Sequence, residues 1–453
     1  MDNNIVEDWK IDPEAPEHSL EAKQPFIDNG SEQLDPSRYY DPEFKDQEWQ
    51  RLWTRAWLIA AVETDIPESG DYAVFRILSE EVLVVRQEDG GVRAFYNVCS
   101  HRGNRIVRND RGSLNCFTCS FHSWCYNLDG SLRSMTDRQT FRDEVAAQAR
   151  GLNEVRCETR AGIVFVNLDQ DAAPLNDRIG LPEGYLEAYQ IDKMHVVRHV
   201  VSEWAANWKT GVDAFYETYH LHAVHPETQP VMDDMAVQVD LYPHGASRMI
   251  VPLAAKSQRI EDQDSMNPGL EFMMQDAGMD PATYSGSARG VRTAIQQYKR
   301  QRSDRLGLGY ERFTDCQLSD SWATGVFPNV QIGCHPEGVF LMRFMPHPTE
   351  PERFFYDTMT LLRPVDDPDY RVPGWMGLPD GTDTSGELRP DTEYVPLGVA
   401  PNLGQVLDQD SKLLPELQKG IRSRGFKGAI WSEQEQRLRH FHREVDSYLN
   451  GSK

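Results

Sequence analysis

The stretch that decides the fold and chemistry of this chain is CSHRGNRIVRNDRGSLNCFTCSFHSWCYNLDG, which runs from Cys99 to Gly130. It holds four of the seven cysteines and two of the thirteen histidines. Cys99 and His101 form one Cys–His pair, and Cys119 and His122 form a second, with seventeen residues between the pairs. Two thiolates and two imidazoles can ligate either zinc or an iron–sulfur centre.

The order of the ligands distinguishes these two kinds of site. In a C2H2 zinc finger the cysteines come as one pair and the histidines as the next, whereas each half here supplies one of each. That order suits two irons with unlike ligands, one held by two thiolates and the other by two imidazoles, which is the Rieske arrangement. A zinc site, or buried thiols with surface histidines, remains the alternative. The other cysteines are predicted to be free buried thiols: Cys116, Cys125, Cys157, Cys316 and Cys334.

Composition limits the class of protein. The chain has 453 residues, of which 39% are hydrophobic, so it can bury a core and form two domains. Its net charge of −24 opposes binding to nucleic acid or to anionic membranes. It has no run of eighteen apolar residues that would predict a membrane span. The acidic N-terminal segment lacks the apolar stretch of a signal peptide, which predicts a cytoplasmic location without structural disulfides.

The cluster lies among predicted short β-strands, which are Asp71–Ile77, Glu80–Gln87, Gly91–Val98 and Gly162–Leu168. They predict a small all-β domain over 45–168, followed by a hinge over 169–184. The rest, 1–44 and 169–453, mixes helices and strands and predicts a larger domain with helices packed on an antiparallel sheet (helix-grip type). The fold class is therefore α+β. Further strands are predicted at Ser247–Leu253, Gly325–Gly333, Gly338–Pro346 and Arg353–Pro364, and a surface loop at Val365–Gly386.

A second motif, NWKTGVDAFYETYHLHAVHPET, runs from Asn207 to Thr228. Its first part is predicted to be helical through residue 221, which would place Glu217 and His220 on one helix face. The helix should end near His225, because the residue before Pro226 avoids the helical region. Where the helix ends, the chain could then turn and bring His225 back beside His220. Two imidazoles with one carboxylate form the facial triad that binds non-haem Fe(II).

Both motifs resemble those of the Rieske non-haem iron aromatic-ring-hydroxylating oxygenases, in their large (α) subunit. Arg102 and Gly103 follow the first histidine and Trp124 follows the second, as in the family patterns C-x-H-R-G and C-x-x-H-G-W. Ser123 stands where the family has glycine. The catalytic-helix pattern is matched by Asn207-Trp208-Lys209, Glu217, Tyr219-His220 and His225.

The resemblance implies a ligand set for each metal. The [2Fe–2S] cluster would be held by Cys99, His101, Cys119 and His122. The mononuclear Fe(II) would be held by His220, His225 and a late carboxylate in VLDQDSKLLPELQKGI, Val406–Ile421. Counting back from the Gln-x-Gly turn of that segment assigns the carboxylate to Asp410, with Asp408 as the competing residue.

The same resemblance implies roles for other polar residues of the second motif. Glu217 would bridge the iron of one subunit to the cluster of its neighbour, at a position where the family commonly has aspartate. Asp213, which stands where asparagine is frequent, is grouped with Glu217 as a catalytic residue. His222 is interpreted as a structural or supporting residue.

The implied function is that of a terminal oxygenase component that uses O2 and hydroxylates a hydrophobic, aromatic substrate by dihydroxylation or monooxygenation. Electrons would come from a ferredoxin, an NAD(P)H-dependent reductase or both, because the chain lacks a G-x-G-x-x-G motif after a strand. The family implies a homotrimer or an α3β3 assembly with a small subunit. Alternatives are an O- or N-demethylating monooxygenase, a pure electron-transfer protein and a zinc-binding interaction module.

Six methionines are predicted either to form an adaptable lining of the substrate pocket or to pack in the core: Met232, Met235, Met249, Met273, Met274 and Met279.

Overall fold

The computed structural model describes residues 9–367 and 370–453. The chain divides into two compact units, one formed by Glu48–Arg178 and the other by the remaining described residues. The sequence places the end of the small domain at 168, but residues to 178 belong to the smaller unit. They are held there because the Leu175 N–H donates to Glu158 at 3.0 Å and the Trp57 indole donates to the Ala173 carbonyl at 3.0 Å.

The smaller unit consists almost entirely of short antiparallel strands. They are β1 Leu58–Val62, β2 Asp71–Ile77, β3 Glu80–Arg86, β4 Val92–Tyr96, β5 Arg111–Ser113, β6 Phe117–Thr118, β7 Cys125–Tyr126, β8 Leu132–Ser134, β9 Glu154–Arg160 and β10 Ile163–Asn167. One seven-stranded sheet has the order β1-β10-β9-β4-β3-β2-β5, and β6-β7-β8 form a separate sheet. The predicted turn between β3 and β4 contains Gly90 at a φ of 82°, a conformation that glycine adopts without a steric penalty.

The larger unit is built on one eight-stranded sheet. Its strands are β11 His195–Trp204, β12 Gln238–Leu241, β13 Ser247–Val251, β14 Ser321–Val326, β15 Val330–Cys334, β16 Gly338–Pro346, β17 Phe354–Leu362 and β18 Glu393–Val395. The order is β12-β13-β14-β15-β16-β17-β11-β18, and the pairs are antiparallel except for β11 with β18. Strands β16 and β17 are buried over most of their length, since other elements cover both faces of the sheet.

Most of the helices belong to the larger unit, and several of them pack on this sheet. The helices are α1 Pro42–Glu48, α2 Asp143–Ala146 (in the smaller unit), α3 Trp208–Phe215, α4 Leu221–Val224, α5 Pro268–Asp276, α6 Val291–Gln301, α7 Ser303–Leu306, α8 Asp315–Ser319, α9 Gln405–Ile421 and α10 Gln436–Leu449. The predicted capping box of Ser432 and Glu435 precedes α10. The apolar stripe of α10 is buried as its period requires: Leu438, Phe441, Val445 and Leu449. The predicted α+β class, with helices packed on an antiparallel sheet, is confirmed.

Three local predictions differ from the structure. The strand predicted over Gly325–Gly333 is two strands, because Phe327 and Pro328 form the turn between β14 and β15. The loop predicted to lie on the surface over 365–386 is partly buried, and Met376 packs against Val197 and Leu362. Of the cysteines predicted to be buried, only Cys316 and Cys334 are, while the other three are half-buried; all are free.

No helix within the described ranges has both the length and the apolar character needed to cross a membrane.

Candidate metal centres and active site

The two loops that carry the Cys–His pairs are built in the same way. The Cys99 N–H donates to the Asn104 carbonyl at 2.8 Å, and the Cys119 N–H donates to the Trp124 carbonyl at 2.8 Å. In each loop the residue four positions after the cysteine donates back to the cysteine carbonyl, at 2.9 Å. That residue is Gly103 in the first loop and Ser123 in the second, with φ of 76° and 57°. The departure from the family's glycine therefore preserves the loop, at the cost of a serine in the left-handed region.

The side chains of the four predicted cluster ligands converge from these loops. Cys99 and Cys119 are buried, whereas His101 and His122 are half-exposed, with ring centroids 4.8 Å apart. The His101 ring stacks on Trp124 at 4.6 Å, which fixes the orientation of the imidazole.

The chemistry of these donors fits a [2Fe–2S] cluster. Burial opposes ionisation of Cys119, but the backbone N–H groups of Phe121 and His122 donate to its sulfur and lower its pKa, which favours the thiolate ligand. The Cys99 Sγ lies 3.0 Å from the Tyr126 hydroxyl. The buried His122 Nδ1 has no hydrogen-bond partner among the described residues, as expected of an atom whose partner would be a metal.

The second motif is not one continuous helix, which corrects the sequence prediction. Helix α3 ends at Phe215 and the short α4 begins at Leu221. The intervening residues leave the helix because their side chains bond elsewhere. The Tyr216 hydroxyl donates to the Val330 carbonyl at 2.8 Å, and the Thr218 hydroxyl donates to the Asp234 carbonyl at 3.2 Å. The chain ends α4 before Pro226, as predicted.

Glu217 and His220 meet within this break rather than along a helix face. The Glu217 carboxylate accepts hydrogen bonds from the His220 backbone N–H at 3.0 Å and from the His220 Nδ1 at 2.5 Å. Since Nδ1 is occupied by the carboxylate, Nε2 is the ring nitrogen left for a metal. Glu217 thus orients the His220 ring, and its side chain is about nine-tenths buried.

The three predicted Fe(II) ligands come together in the larger unit. His225 Nε2 lies 3.0 Å from Asp410 Oδ1, and His220 Nε2 lies 3.8 Å from the same oxygen. Donor atoms of all three residues lie within 4.8 Å of one another. His225 is fully buried and Asp410 is 4% exposed. Two imidazoles and one carboxylate fit non-haem Fe(II) and leave positions open for other ligands.

Helix α9 positions the carboxylate and also orients one of the histidines. Asp410 lies in the second turn of α9. Asp408 lies in its first turn, where its carboxylate accepts a hydrogen bond from the Leu403 N–H at 3.4 Å and not from a metal-site histidine. The neighbouring Gln409 Oε1 lies 2.5 Å from His225 Nδ1. Burial lowers the pKa of His225, but the hydrogen bonds with Asp410 and Gln409 outweigh burial and raise it. Sequence reasoning missed the role of Gln409, whose only signal was its position beside Asp410.

Two other predicted residues lie outside this group of ligands. Asp213, on α3, accepts a hydrogen bond from the Tyr39 hydroxyl at 2.6 Å, and its other oxygen lies 2.9 Å from His442 Nε2. It therefore belongs to a polar network between α3, α10 and the segment before α1. His222 packs its ring against Tyr219, and its buried Nδ1 has no partner among the described residues.

A cavity of about 500 Å³ adjoins the three ligands. Its floor is one face of the central sheet, where Met249, Ala323, Gly333 and Phe340 form a row of paired residues across β13 to β16. Its other walls include Phe215, Met232, Trp375 and Leu403. Of the six methionines in the sequence prediction, Met232 and Met249 line the cavity, whereas Met273, Met274 and Met279 pack in a core between α5 and α6. The sixth, Met235, contacts the side chain of Gln434 instead.

The surface of the cavity is mainly apolar, but polar side chains also line it, among them Glu227, Gln331 and the three predicted iron ligands. No lysine or arginine lines it, among the residues that the structure describes. His335 lines it, with its ring centroid 3.8 Å from that of Trp375 in a tilted arrangement. Burial lowers the pKa of His335 to about 3, so its imidazole is neutral at physiological pH. The cavity therefore offers a mainly apolar surface next to a site that can hold a metal.

Comparison with known proteins agrees with these two sites. Residues 191–451 match the family described as ring hydroxylating alpha subunit (catalytic domain), and residues 56–148 match the Rieske [2Fe-2S] domain. The chain is 34% identical to the biphenyl 2,3-dioxygenase subunit alpha of Rhodococcus jostii strain RHA1 over 201 residues, which are 43% of this chain and 44% of that protein. It is 32% identical to the carnitine monooxygenase oxygenase subunit of Escherichia coli strain K12 over 212 residues, 46% of this chain and 55% of that protein.

The matched region spans about half the length of these curated relatives. Solved structures match over more of the chain. A naphthalene 1,2-dioxygenase from Rhodococcus sp. bound to indole has a TM-score of 0.63 and 20% identity, covering 93% of this chain and 95% of that one. A quaternary ammonium Rieske monooxygenase in complex with L-carnitine has a TM-score of 0.60 and 18% identity, covering 92% and 95%.

The likeness to the solved structures supports the fold, and the match over 191–451 supplies the family. The chain therefore belongs to the ring-hydroxylating alpha-subunit family, and the cofactors predicted from its sequence, a Rieske [2Fe–2S] cluster and a mononuclear iron, are confirmed as those of its two domains.

Proposed function

We propose that this chain is the oxygenase component of a multicomponent Rieske oxygenase, which inserts oxygen from O2 into a hydrophobic substrate. Its electrons come from a separate ferredoxin, NAD(P)H-dependent reductase or both. The observation that carries the proposal is the pairing of two unlike ligand sets in one chain with an apolar cavity beside the second set. A pure electron-transfer protein or a zinc module would need neither the second set nor the cavity.

Each group of residues has a part in this reaction. Cys99, His101, Cys119 and His122 would hold the cluster, and His220, His225 and Asp410 would hold the iron. When bound, the two metals supply single-electron transfer and O2 activation. The chain itself orients the ligands: Glu217 fixes the His220 ring through Nδ1, and Gln409 fixes the His225 ring in the same way.

Glu217 also supports the proposed electron path between subunits. Its carboxylate is bonded to a metal-site histidine, and the adjacent Tyr219 is 48% exposed, so the break between α3 and α4 reaches the surface. A neighbouring subunit whose cluster histidine docks there would be linked to His220 through one carboxylate. This route requires an oligomer, and we propose the homotrimer or α3β3 assembly implied by the family resemblance.

The cavity favours a substrate with a neutral hydrophobic body, such as an aromatic compound. Most of its exposed surface is apolar, with Met, Phe, Trp, Val and Leu side chains among the lining residues, and burying such a substrate gains about 25 cal/mol for each Å² of apolar surface. The relatives named above include a biphenyl dioxygenase, which acts on a hydrocarbon, and a carnitine monooxygenase, whose substrate carries both a quaternary ammonium and a carboxylate. Among the described residues no lysine or arginine lines this cavity, so a carboxylate would have to be held there by uncharged donors.

Oxidation of a quaternary ammonium compound, with loss of an N-linked group, is the second candidate. The observations in its favour are the carnitine and glycine betaine monooxygenase relatives and the ring of Trp375 in the cavity wall, since tryptophan attracts cations over its face. The acidic residues at the metal site would add to that attraction.

One assay separates these candidates. The metal-loaded protein is combined with a bacterial ferredoxin–reductase pair and NADH, and O2 consumption is followed with naphthalene, biphenyl, carnitine and glycine betaine as substrates. We expect oxidation of an aromatic compound, and ¹⁸O2 labelling then counts whether one or two oxygen atoms enter the product. Turnover of carnitine or betaine alone would favour the second candidate, and O2 uptake with none of a broader panel would contradict an oxygenase.

A further inference from the structure

Arg437 is a buried cation without an ionic partner. Its side chain is fully buried, and it forms no ion pair with any carboxylate of the described chain. Its Nε donates to the Ser247 hydroxyl at 2.9 Å, its guanidinium lies over the Tyr216 ring at 4.2 Å, and its Nη1 has no hydrogen-bond partner. Burial lowers the pKa of Arg437 to about 10, so the group still carries its charge at neutral pH.

Stability alone gives no reason for this arrangement. An isolated buried charge destabilises a fold unless it is paired, and Arg437 lies in the first turn of α10, where the helix dipole is also unfavourable to a cation. A leucine or methionine would fill the same space at lower cost. The position of the guanidinium therefore calls for a role that involves its charge.

The remaining contact of Arg437 leads to the active-site cavity. Its Nη2 donates to Gln331 Oε1 at 3.3 Å. Arginine can only donate, so this contact fixes the carboxamide with its oxygen toward Arg437 and its NH2 group on the other side. Gln331 lines the cavity, and its Nε2 donates to no other group that the structure describes. When the oxygen of a carboxamide accepts a hydrogen bond from a cation, the amide is polarised and its NH2 group becomes a stronger donor.

The strand that carries Gln331 leaves room for a ligand beside this donor. Residues 331 and 333 of β15 face the cavity by alternation, and the second of them is glycine; His335, just after the end of the strand, also lines the cavity. A Cβ on Gly333 would meet nothing closer than 3.8 Å, and its backbone does not need a positive φ. Glycine weakens a strand interior and there often marks the close approach of a ligand.

We propose that Gln331, backed by the buried Arg437, is the substrate-orienting donor of this cavity, and that the substrate is a hydrophobic molecule carrying an sp² oxygen acceptor, a carbonyl or carboxylate group, which lies over Gly333. This inference rests on the proposed oxygenase function and narrows its substrate class. Gln331 is the specificity-determining residue and Arg437 acts through it as a positioning residue. The neutral His335, on the same face, leaves the acceptor free of competition from a second cation.

The test compares ligands that share a body and differ in the acceptor. Dissociation constants of indane, 1-indanone and indane-1-carboxylate are measured by calorimetry on the anaerobic, metal-loaded protein. The variants are Gln331→Leu, which removes the donor, and Gln331→Glu, which pairs with Arg437 and presents an acceptor instead. Met342→Leu is the matched control, because Met342 pairs with Gln331 across the strands and lines the cavity with a side chain that has no hydrogen-bond donor.

We expect the preference for 1-indanone over indane to fall about five- to tenfold in both Gln331 variants, which is the size of one lost hydrogen bond, and to stay unchanged in Met342→Leu. If the carboxylate rather than the ketone depends on Gln331, the acceptor is assigned as an anion. Unchanged preferences for both oxygenated probes in Gln331→Leu or in Gln331→Glu would overturn the proposal. Because binding is measured without turnover, a failure of the oxygenase assay is a separate result.

Discussion

The two metal sites of this chain are assembled in opposite ways. All four predicted cluster ligands lie within Cys99–His122, on two loops with the same hydrogen-bond pattern. The iron site instead joins His225 to Asp410, which is 185 residues away in sequence. The residues of the cluster site all belong to one short sequence motif. The iron site forms only when the α3–α4 break and helix α9 pack on the same sheet.

The two metal sites also differ in how far their residues are exposed to solvent. The cluster histidines are half-exposed, and Phe121 beside them is 54% exposed, whereas His225 is fully buried next to a mainly apolar cavity. A surface site suits electron exchange with a partner, and a buried site suits chemistry that must exclude water. The local site should therefore tolerate changes elsewhere in the fold, while the assembled site should depend on residues that support its ligands.

The largest effect is expected from Cys119→Ser. Loss of a thiolate should abolish the cluster, its visible absorption and all turnover, because no route for electrons remains. The mononuclear iron should stay, since its ligands lie in the other unit. The visible spectrum and iron analysis check this, with the non-ligand Cys157→Ser as the control. Loss of both metals would show that the sites are not independent.

Glu217→Gln should lower turnover about a hundredfold while both metals remain, since partners that orient metal-bound histidines contribute on that scale. The amide can still contact His220 but loses the charge proposed to link subunits. Steady-state rates are compared with those of Glu271→Gln, the same change at an exposed residue of α5. Normal turnover in Glu217→Gln would show that electron transfer between subunits does not need the Glu217 carboxylate.

A supporting residue of the assembled site should show an intermediate effect. Gln409→Leu removes the hydrogen bond to His225 Nδ1 and should weaken Fe(II) binding about tenfold, with the cluster spectrum unaltered. Titration of the iron-depleted protein with Fe(II) measures this. Binding as tight as in the wild type would mean that burial alone orients His225.

The smallest effect is expected in the local site. Ser123→Gly should leave cluster content unchanged and raise the free energy of unfolding by less than about 1 kcal/mol. Relief of the left-handed φ is largely offset by the greater freedom of glycine in the unfolded chain. Thermal unfolding of the cluster-loaded protein checks the direction. A large loss of cluster would show that the Ser123 side chain has a role beyond the turn.

The sequence could predict what depends on near neighbours. The cluster ligands, the strands β2 and β16 and the capping box before α10 all follow from spacing, alternation and turn residues. The helix predicted through residue 221 was wrong, because the hydrogen bonds of Tyr216 and Thr218 to distant carbonyls end it early. No local pattern could indicate these bonds.

The same limit applies to the supporting residues of the iron site. Asp410 was assigned by resemblance to a family, not from its own surroundings, and the contacts of Gln409 with His225 and of Arg437 with Gln331 appear only in three dimensions. The assignments of the metal ligands stay predictions, as do those of Asp213 and Glu217 as catalytic residues.

The most direct test of the account is the iron-to-sulfide ratio of Asp410→Ala beside Asp408→Ala. Wild-type protein should hold two irons and two sulfides in its cluster and one further iron. Asp410→Ala should lose only that further iron and keep the cluster spectrum, because the carboxylate closes a site made by two distant histidines. Asp408→Ala should keep both the cluster and the further iron. Full iron in Asp410→Ala, or loss of the further iron in Asp408→Ala alone, would contradict the assembled site described here.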